Sequence, residues 1–138
     1  MIEARNILST GNFTCVLRKN DIVFTATERG VKPLVRWLAE GIDVRGFSAA
    51  DKVVGRATAY LYVLLGVKEV WAAVMSEAAA EVLHRHGIAA SQDKLVKNII
   101  NRVGTGICPF EEAVLNIQTP EEALAAIRAK MVQMNITL

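Results

Sequence analysis

Residues 47–66 read FSAADKVVGRATAYLYVLLG. After Arg56 this stretch carries no charged side chain, and its apolar residues lie on every side of a helical wheel. A helix that is apolar all round belongs in a protein core or in a membrane, and the uncharged run is far shorter than the roughly 20 residues that cross a bilayer. We therefore predict a buried central helix. Ser48 would cap it, Asp51 would lie in its first turn, and Gly66 would end it.

The residues before this stretch predict two helices and two strands. Residues 2–9 predict a short helix, and residues 13–18 and 22–26 are rich in strand-forming side chains. A turn at Asn20 would join the two strands in an antiparallel hairpin. A second helix is predicted over residues 33–40, since it opens with a proline and is followed by a glycine.

The residues after the central helix predict a βαβ unit. The mostly apolar run at 68–75 suits a strand that is covered on both faces. Ser76 and Gly87 bound the helix that follows, and residues 88–90 form a short second strand. A strand, helix and strand of this length give a parallel pair with a right-handed crossover.

The order of these elements predicts a single α/β domain over residues 1–138. Its sheet would be mixed, with an N-terminal antiparallel hairpin and a parallel βαβ unit, and helices would cover both faces in a three-layer α-β-α arrangement. Two more helices, each opened by a proline, begin at Pro109 and Pro120. The content of 52% hydrophobic and only 22% charged residues argues against disorder.

Charge and composition exclude several classes of function. The formal net charge is only +2 and the basic residues are scattered among acids, so no nucleic-acid partner is predicted. The two cysteines, Cys15 and Cys108, lie in unrelated contexts and suggest no disulfide framework. His84 and His86 point to different sides of a helix, so neither a metal site nor a cofactor is predicted. Without a secretory signal or a membrane-spanning run, we expect a reduced cytoplasmic protein.

The loop GTGICP at residues 104–109 is the sharpest local signal. Two glycines let successive N–H groups form an anion-binding concavity, and the helix that begins at Pro109 directs its positive end the same way. Arg102 would reinforce this effect. Cys108 would occupy the N-cap, where a thiolate is stabilised. Three interpretations stay open: a ligand-binding loop, a reactive thiol, and a tight loop with a buried, inert cysteine.

A second cluster of charges lies at the start of the predicted central helix. Asp51, Lys52 and Arg56 would occupy its first turns, and Arg29 and Lys32 could converge on the same place. Such a cluster often borders a cleft at the edge of a sheet. The alternative is a set of solvated surface pairs, each worth less than about 1 kcal/mol.

Four stretches carry a resemblance to a known family: ERGVKPL at 28–34, DKVVGRATA at 51–59, SEAA at 76–79 and INRVGTGICPFEEAV at 100–114. With the order of elements, they resemble a bacterial family of uncharacterised proteins, domain of unknown function 1893. Through that family the chain is similar to the cytidine deaminase-like superfamily, and the resemblance implies a deaminase-like fold.

The same resemblance argues against zinc-dependent deamination. Zinc deaminases carry H-x-E at the start of the central helix and P-C-x-x-C at the start of the next helix. Here residues 55–58 replace the first motif, and Ala79 and Val82 replace the two cysteines. Glu77 stands where some deaminases place an acid. A guanidinium from Arg56 could replace the charge of the metal but could not activate a water molecule.

Three functions stay open at this stage. The first is a non-catalytic domain that binds a small anionic or nucleotide-like ligand in its cleft. The second is an enzyme or redox protein that depends on Cys108, and the third is a structural module that forms a homodimer. The predicted ligand contacts are polar residues and glycines at the predicted helix starts and in the loops before them: Arg29, Asp51, Lys52, Arg56, Glu77, Asn101, Arg102, Gly104, Thr105, Gly106 and Cys108.

Overall fold

The fold was analysed in a computed structural model that describes residues 1–100, 104 and 106–138. Five strands and six helices occur within these residues. In chain order they are α1 (Ile2–Thr10), β1 (Cys15–Lys19), β2 (Ile22–Ala26), α2 (Lys32–Glu40), β3 (Ser48–Val54), α3 (Arg56–Leu65), β4 (Glu69–Ser76), α4 (Glu77–Arg85), β5 (Ala89–Val96), α5 (Pro109–Ala113) and α6 (Pro120–Gln133).

The strands form one mixed sheet in the order β2-β1-β3-β4-β5. Strand β1 is antiparallel to both β2 and β3, whereas β3, β4 and β5 are parallel. The predicted hairpin and βαβ unit are therefore confirmed, and a second βαβ unit joins them. Cys15 at the start of β1 pairs with Ala26 at the end of β2 and with Asp51 in the middle of β3. All strands except β1 therefore have their C-terminal ends on the same side of the sheet. We call this side the carboxyl edge, as distinct from the edge strands β2 and β5.

Helices pack against both faces of this sheet. Consecutive residues of β3 point to opposite faces, since Ala49 belongs to the main core cluster and Ala50 to a separate, smaller one. The main cluster includes buried side chains of α2, α3, α4, α5 and α6. The smaller cluster joins Ala4 and Leu8 of α1 to Val16, Ala50 and Trp71 of the sheet.

The predicted central helix is wrong in its first half. Residues Ser48–Val54 form a strand, and the helix begins only at Arg56. The Ser48 hydroxyl donates to Glu69 on the neighbouring strand instead of capping a helix. The strand is favoured because it pairs with β1 on one side and with β4 on the other. Asp51 and Lys52 therefore belong to a strand, not to a first helical turn.

The second half of the prediction is confirmed. Helix α3 is buried on most of its surface, and Leu61 and Tyr62 are fully enclosed. Gly66 ends the helix in the left-handed region at φ 78° and ψ 24°. Ser76 caps α4 as predicted, since its hydroxyl accepts from the N–H of Ala79 at 3.1 Å. No helix among the described residues is long and apolar enough to traverse a bilayer.

The second strand of the predicted βαβ unit is longer than expected. It extends over Ala89–Val96, whereas the sequence predicts only residues 88–90. This strand lies at the edge of the sheet, and most of its side chains are exposed or half-buried. Its polar residues hide the alternation that identifies a strand with one buried face.

Candidate functional site

The strand register places most of the predicted site residues at the carboxyl edge. Arg29 follows β2, Lys52 lies near the end of β3, and Glu77 begins α4 directly after β4. Gly104, Gly106 and Cys108 follow β5. Arg29, Lys52 and Glu77 are exposed at this edge, and the two glycines are exposed in the segment after β5. Asn101, Arg102 and Thr105 lie outside the described residues.

The start of α3 is occupied by a carboxylate of the protein itself. Glu111 in α5 accepts from the backbone N–H of Arg56 at 2.7 Å and from that of Ala57 at 2.8 Å. Gly55 makes this close approach feasible, because a Cβ at residue 55 would lie 2.5 Å from the Glu111 carboxyl carbon. The N-terminus of α3 is thus capped from within the chain.

Burial raises the pKa of Glu111 above its ordinary value, although the two backbone N–H groups and the Arg56 guanidinium oppose this shift. Sequence reasoning missed this residue because it lies 55 positions beyond Arg56. One signal was available. Gly55 precedes the buried helix and has no side chain with which to cap it, so the first N–H groups need a partner from elsewhere, a distant side chain or water.

The side chain of Arg56 turns away from the strand edge and along α3. Its Nη2 donates to the Tyr60 hydroxyl at 3.1 Å and to the Ile117 carbonyl at 2.6 Å. Its guanidinium carbon lies 5.4 Å from the centre of the Tyr60 ring. The Nε atom is buried and has no hydrogen-bond partner among residues 1–100, 104 and 106–138. Within the described part of the chain, no carboxylate forms an ion pair with Arg56 within 4.0 Å.

A second arginine reaches the same hydroxyl from α4. Arg85 donates through Nη2 to the Tyr60 oxygen at 3.1 Å. Its contacts to the Gln118 carbonyl, the Gln118 side chain and the Glu81 carboxylate are all long, at 3.4 Å. The Tyr60 hydroxyl itself donates to the Ile117 carbonyl at 2.8 Å. We name Arg56, Tyr60, Arg85, Ile117 and Gln118 the two-arginine cluster. The sequence does not predict the role of Arg85.

Asp51 does not face solvent. Its Oδ2 accepts from the Tyr62 hydroxyl at 2.6 Å, and its Oδ1 accepts from the Val53 N–H at 3.3 Å. The Cys15 thiol lies 3.0 Å from the Tyr62 oxygen, so the three side chains form one buried chain of polar groups. Burial raises the pKa of Asp51 to about 6, and it also raises the pKa values of Cys15 and Tyr62. Asp51 was predicted as a ligand contact, but its carboxyl group is buried and makes its hydrogen bonds inside the protein.

The sequence matches the family described as a domain of unknown function (DUF1893) over residues 3–131. The chain belongs to this family. A crystal structure of a DUF1893 family protein from Thermotoga maritima is similar to this chain, with a TM-score of 0.86 at 26% identity. The match covers 94% of this chain and 88% of that chain. No curated protein matches the sequence.

Membership in the DUF1893 family confirms the resemblance that four stretches of the sequence carry. The wider relation to cytidine deaminases stays a prediction. In this DUF1893 protein Ala79 and Val82, which stand at the predicted zinc-cysteine positions, are fully buried core residues. Across residues 1–100, 104 and 106–138, no group of three His, Cys, Asp or Glu side chains could hold a metal ion.

Cys108 is the N-cap of α5, as the sequence predicts, and it is half-buried. Its N–H donates to the Ile99 carbonyl at 3.0 Å, and its carbonyl accepts from the Glu112 N–H at 3.1 Å. The other cysteine of this DUF1893 protein, Cys15, is enclosed in the core. The two thiols therefore differ in access to solvent.

Two surface grooves lie away from the carboxyl edge. One, of about 290 Å³, is bounded by Leu38, Ile42 and Leu65 between α2 and the end of α3. The other, of about 420 Å³, lies between α1 and the sheet beside Trp71 and Asp93. Neither includes a site residue that the sequence predicts.

Proposed function

We propose that this DUF1893 protein binds a small anionic or nucleotide-like ligand at its carboxyl edge and catalyses no zinc-dependent reaction. One observation carries the proposal. Among the described residues, the buried Nε of the half-buried Arg56 has no acceptor, and no carboxylate pairs with the guanidinium within 4.0 Å. The nearby Glu111 carboxylate is directed to the backbone N–H groups of α3 and forms no ion pair with the guanidinium. A partly desolvated cation without a directly paired carboxylate is costly, and an anionic ligand would lower that cost.

The position of Arg56 supports the same proposal. Its backbone begins the helix that directly follows β3, next to the crevice outside the carboxyl ends of the strands where ligands of open α/β sheets bind, and its guanidinium lies along the first turn of that helix. Arg29 and Lys52 add two exposed cations at this edge. Since the Glu111 carboxylate already occupies the N–H groups of α3, the anion is expected at side-chain cations instead.

Exposed apolar side chains suit the uncharged part of a nucleotide-like ligand. Val53 and Leu95, near the ends of β3 and β5, are 45% and 49% exposed. Ile100 and Ile107 pair in an isolated bridge after β5, and both are exposed. Apolar surface next to cations is the combination that a base joined to a phosphate requires.

We also propose that the fold is deaminase-like but lacks the deaminase chemistry. Helices α3 and α4 begin directly after two adjacent parallel strands, where zinc deaminases hold their metal. Arg56 begins α3, and Ala79 and Val82 lie in the first two turns of α4; none of the three side chains is a metal ligand. The guanidinium of Arg56 would then attract an anion where relatives of the wider superfamily bind a cation.

Thermal unfolding against a panel of nucleotides and phosphate esters tests the proposal. A ligand present at 100 times its Kd should stabilise the wild-type protein by about 2.7 kcal/mol. Lys52→Ala should reduce this stabilisation because it removes a cation from the edge, and Arg56→Gln should abolish it. Arg128→Gln is the matched control, since Arg128 is exposed on α6. The proposal fails if no compound shifts the transition, or if Lys52→Ala and Arg56→Gln both respond like the wild type and the control.

A second candidate function rests on the Cys108 thiol, which is half-buried at the start of α5. We propose that this thiol is the reactive one of the pair. A thiol reagent should modify Cys108 in the folded protein, whereas Cys15 should react only after unfolding because it is enclosed in the core. Mass spectrometry after timed alkylation, with Cys108→Ser as control, measures both rates. Equal protection of the two cysteines would rule out a Cys108-dependent reaction.

A further inference from the structure

We propose that the two-arginine cluster is a phosphoryl-binding site, in which Arg85 and Arg56 hold one phosphate group between them. This inference deepens the proposed function and rests on it, because it names the chemical class of the ligand and a second residue that binds it. The group would be the phosphate of a monoester or inorganic phosphate itself. Nothing in the sequence singles out Arg85 for this role.

The hydrogen bonds of the cluster leave donors unused. A guanidinium has five N–H donors. Among the described residues, every side-chain hydrogen bond of Arg56 runs through Nη2, and its buried Nε has no partner. Arg85 has one contact at 3.1 Å and three at 3.4 Å, which are longer than ordinary N–H···O bonds. Both guanidinium groups can therefore donate to further, stronger acceptors.

The charges of the cluster also lack balance. Two cations donate to one neutral phenol oxygen, the Tyr60 hydroxyl, at 3.1 Å each. Like charges held this close repel each other, and partial burial strengthens the repulsion. In the part of the chain that the structure describes, Glu81 is the one carboxylate that pairs with either arginine, and it contacts Arg85 at 3.4 Å. An anion between the two arginines would remove this imbalance.

The shape and charge of a phosphoryl group match the arrangement of the two arginines. Guanidinium groups form paired, parallel hydrogen bonds with phosphate oxygens, and phosphate has enough oxygens to engage two arginines at once. Tyr60 is fully buried and the Ile117 carbonyl accepts from Arg56, so one arm of the site is fixed before a ligand arrives. Arg85 is the adjustable arm, since its side chain is 36% exposed.

Calorimetric titration of the full chain with inorganic phosphate, at constant ionic strength in chloride, tests the site. Arg85→Gln should weaken phosphate binding at least about tenfold, because it removes charge-assisted hydrogen bonds. Arg85→Lys should retain part of the affinity, and Arg128→Gln should retain all of it. Acetate should bind much more weakly than phosphate, since it has two oxygens and a single charge. Melting curves without phosphate show that each variant is folded.

The outcomes separate this inference from the proposed function. If Arg56→Gln and Lys52→Ala weaken phosphate binding while Arg85→Gln does not, the anion site exists but Arg85 has no part in it. That result overturns the inference alone. If the wild-type protein binds neither phosphate nor any phosphate ester, both proposals fail. If acetate binds as tightly as phosphate, the site is not phosphoryl-specific and the inference is likewise wrong.

Discussion

Replacing Glu111 with alanine should lower the free energy of unfolding by about 2–4 kcal/mol, because the carboxylate accepts two backbone N–H groups at the start of α3. The loss is larger than for an ordinary cap, since α3 is the helix most enclosed in the core and its first N–H groups are shielded from water. Glu111→Gln should cost less. An amide keeps one acceptor oxygen for one of the two N–H groups.

Gly55→Ala should be destabilising for the same reason, by displacement of the cap. Its φ of −100° and ψ of −176° are extended backbone that alanine adopts freely, so the backbone itself adds no strain. The added Cβ would instead lie 2.5 Å from the Glu111 carboxyl carbon and push it away. In a chain that already carries Glu111→Ala, the obstacle is absent. There Gly55→Ala should be neutral, or stabilising by up to about 1 kcal/mol through the unfolded state.

Urea denaturation of the wild type, both single variants and the double variant completes this cycle. The two substitutions share one mechanism, so their effects should be strongly non-additive. Additive losses would mean that Gly55 is needed for some contact other than Glu111. A loss below about 0.5 kcal/mol for Glu111→Ala would mean that water caps the helix equally well.

The sequence predicts those parts of the fold that local chemistry decides. The apolar residues after Arg56 and the glycine at position 66 predict a buried helix and its end, and both are confirmed. The prediction of a helix over Ser48–Val54 is wrong because this stretch has local features of a helix start, a serine followed three residues later by an acid. Pairing with β1 and β4 makes it a strand, and such pairing cannot be seen in a short window of sequence.

The site residues likewise divide into those that local sequence features indicate and those that depend on distant contacts. Arg56 could be selected from the sequence because it begins the apolar run, and its cationic side chain carries the proposed function. Glu111 and Arg85 could not be selected in this way. Glu111 contacts the start of α3 from 54 or 55 residues further along the chain. Arg85 contacts Tyr60 from 25 residues further along. Asp51 was selected for its charge, but whether a charge on a strand faces solvent or the core depends on register.

Burial raises the pKa of Asp51 from 3.8 to about 6, so ionisation of this group should change the free energy of unfolding by about 3 kcal/mol between low and high pH. Asp51→Asn should remove this pH dependence. A carboxyl group with a higher pKa in the folded state binds more protons folded than unfolded. Its contribution is therefore fully present below about pH 4, and it is lost as the pH rises through about 6. The wild type should lose stability relative to Asp51→Asn over this window.

Urea denaturation at several pH values between 4 and 8 measures this difference, and other titrating groups cancel between the two proteins. Tyr62→Phe is the informative second variant. The Tyr62 hydroxyl donates to the Asp51 carboxyl at 2.6 Å and so favours its charged form. Without this donor the pKa should rise further, and the loss of stability should extend to higher pH. A parallel pH profile for wild type and Asp51→Asn would mean that Asp51 is charged in the folded interior with its ordinary pKa. Water would then have to reach the carboxyl group between β3 and α3, and this part of the core would be open to solvent.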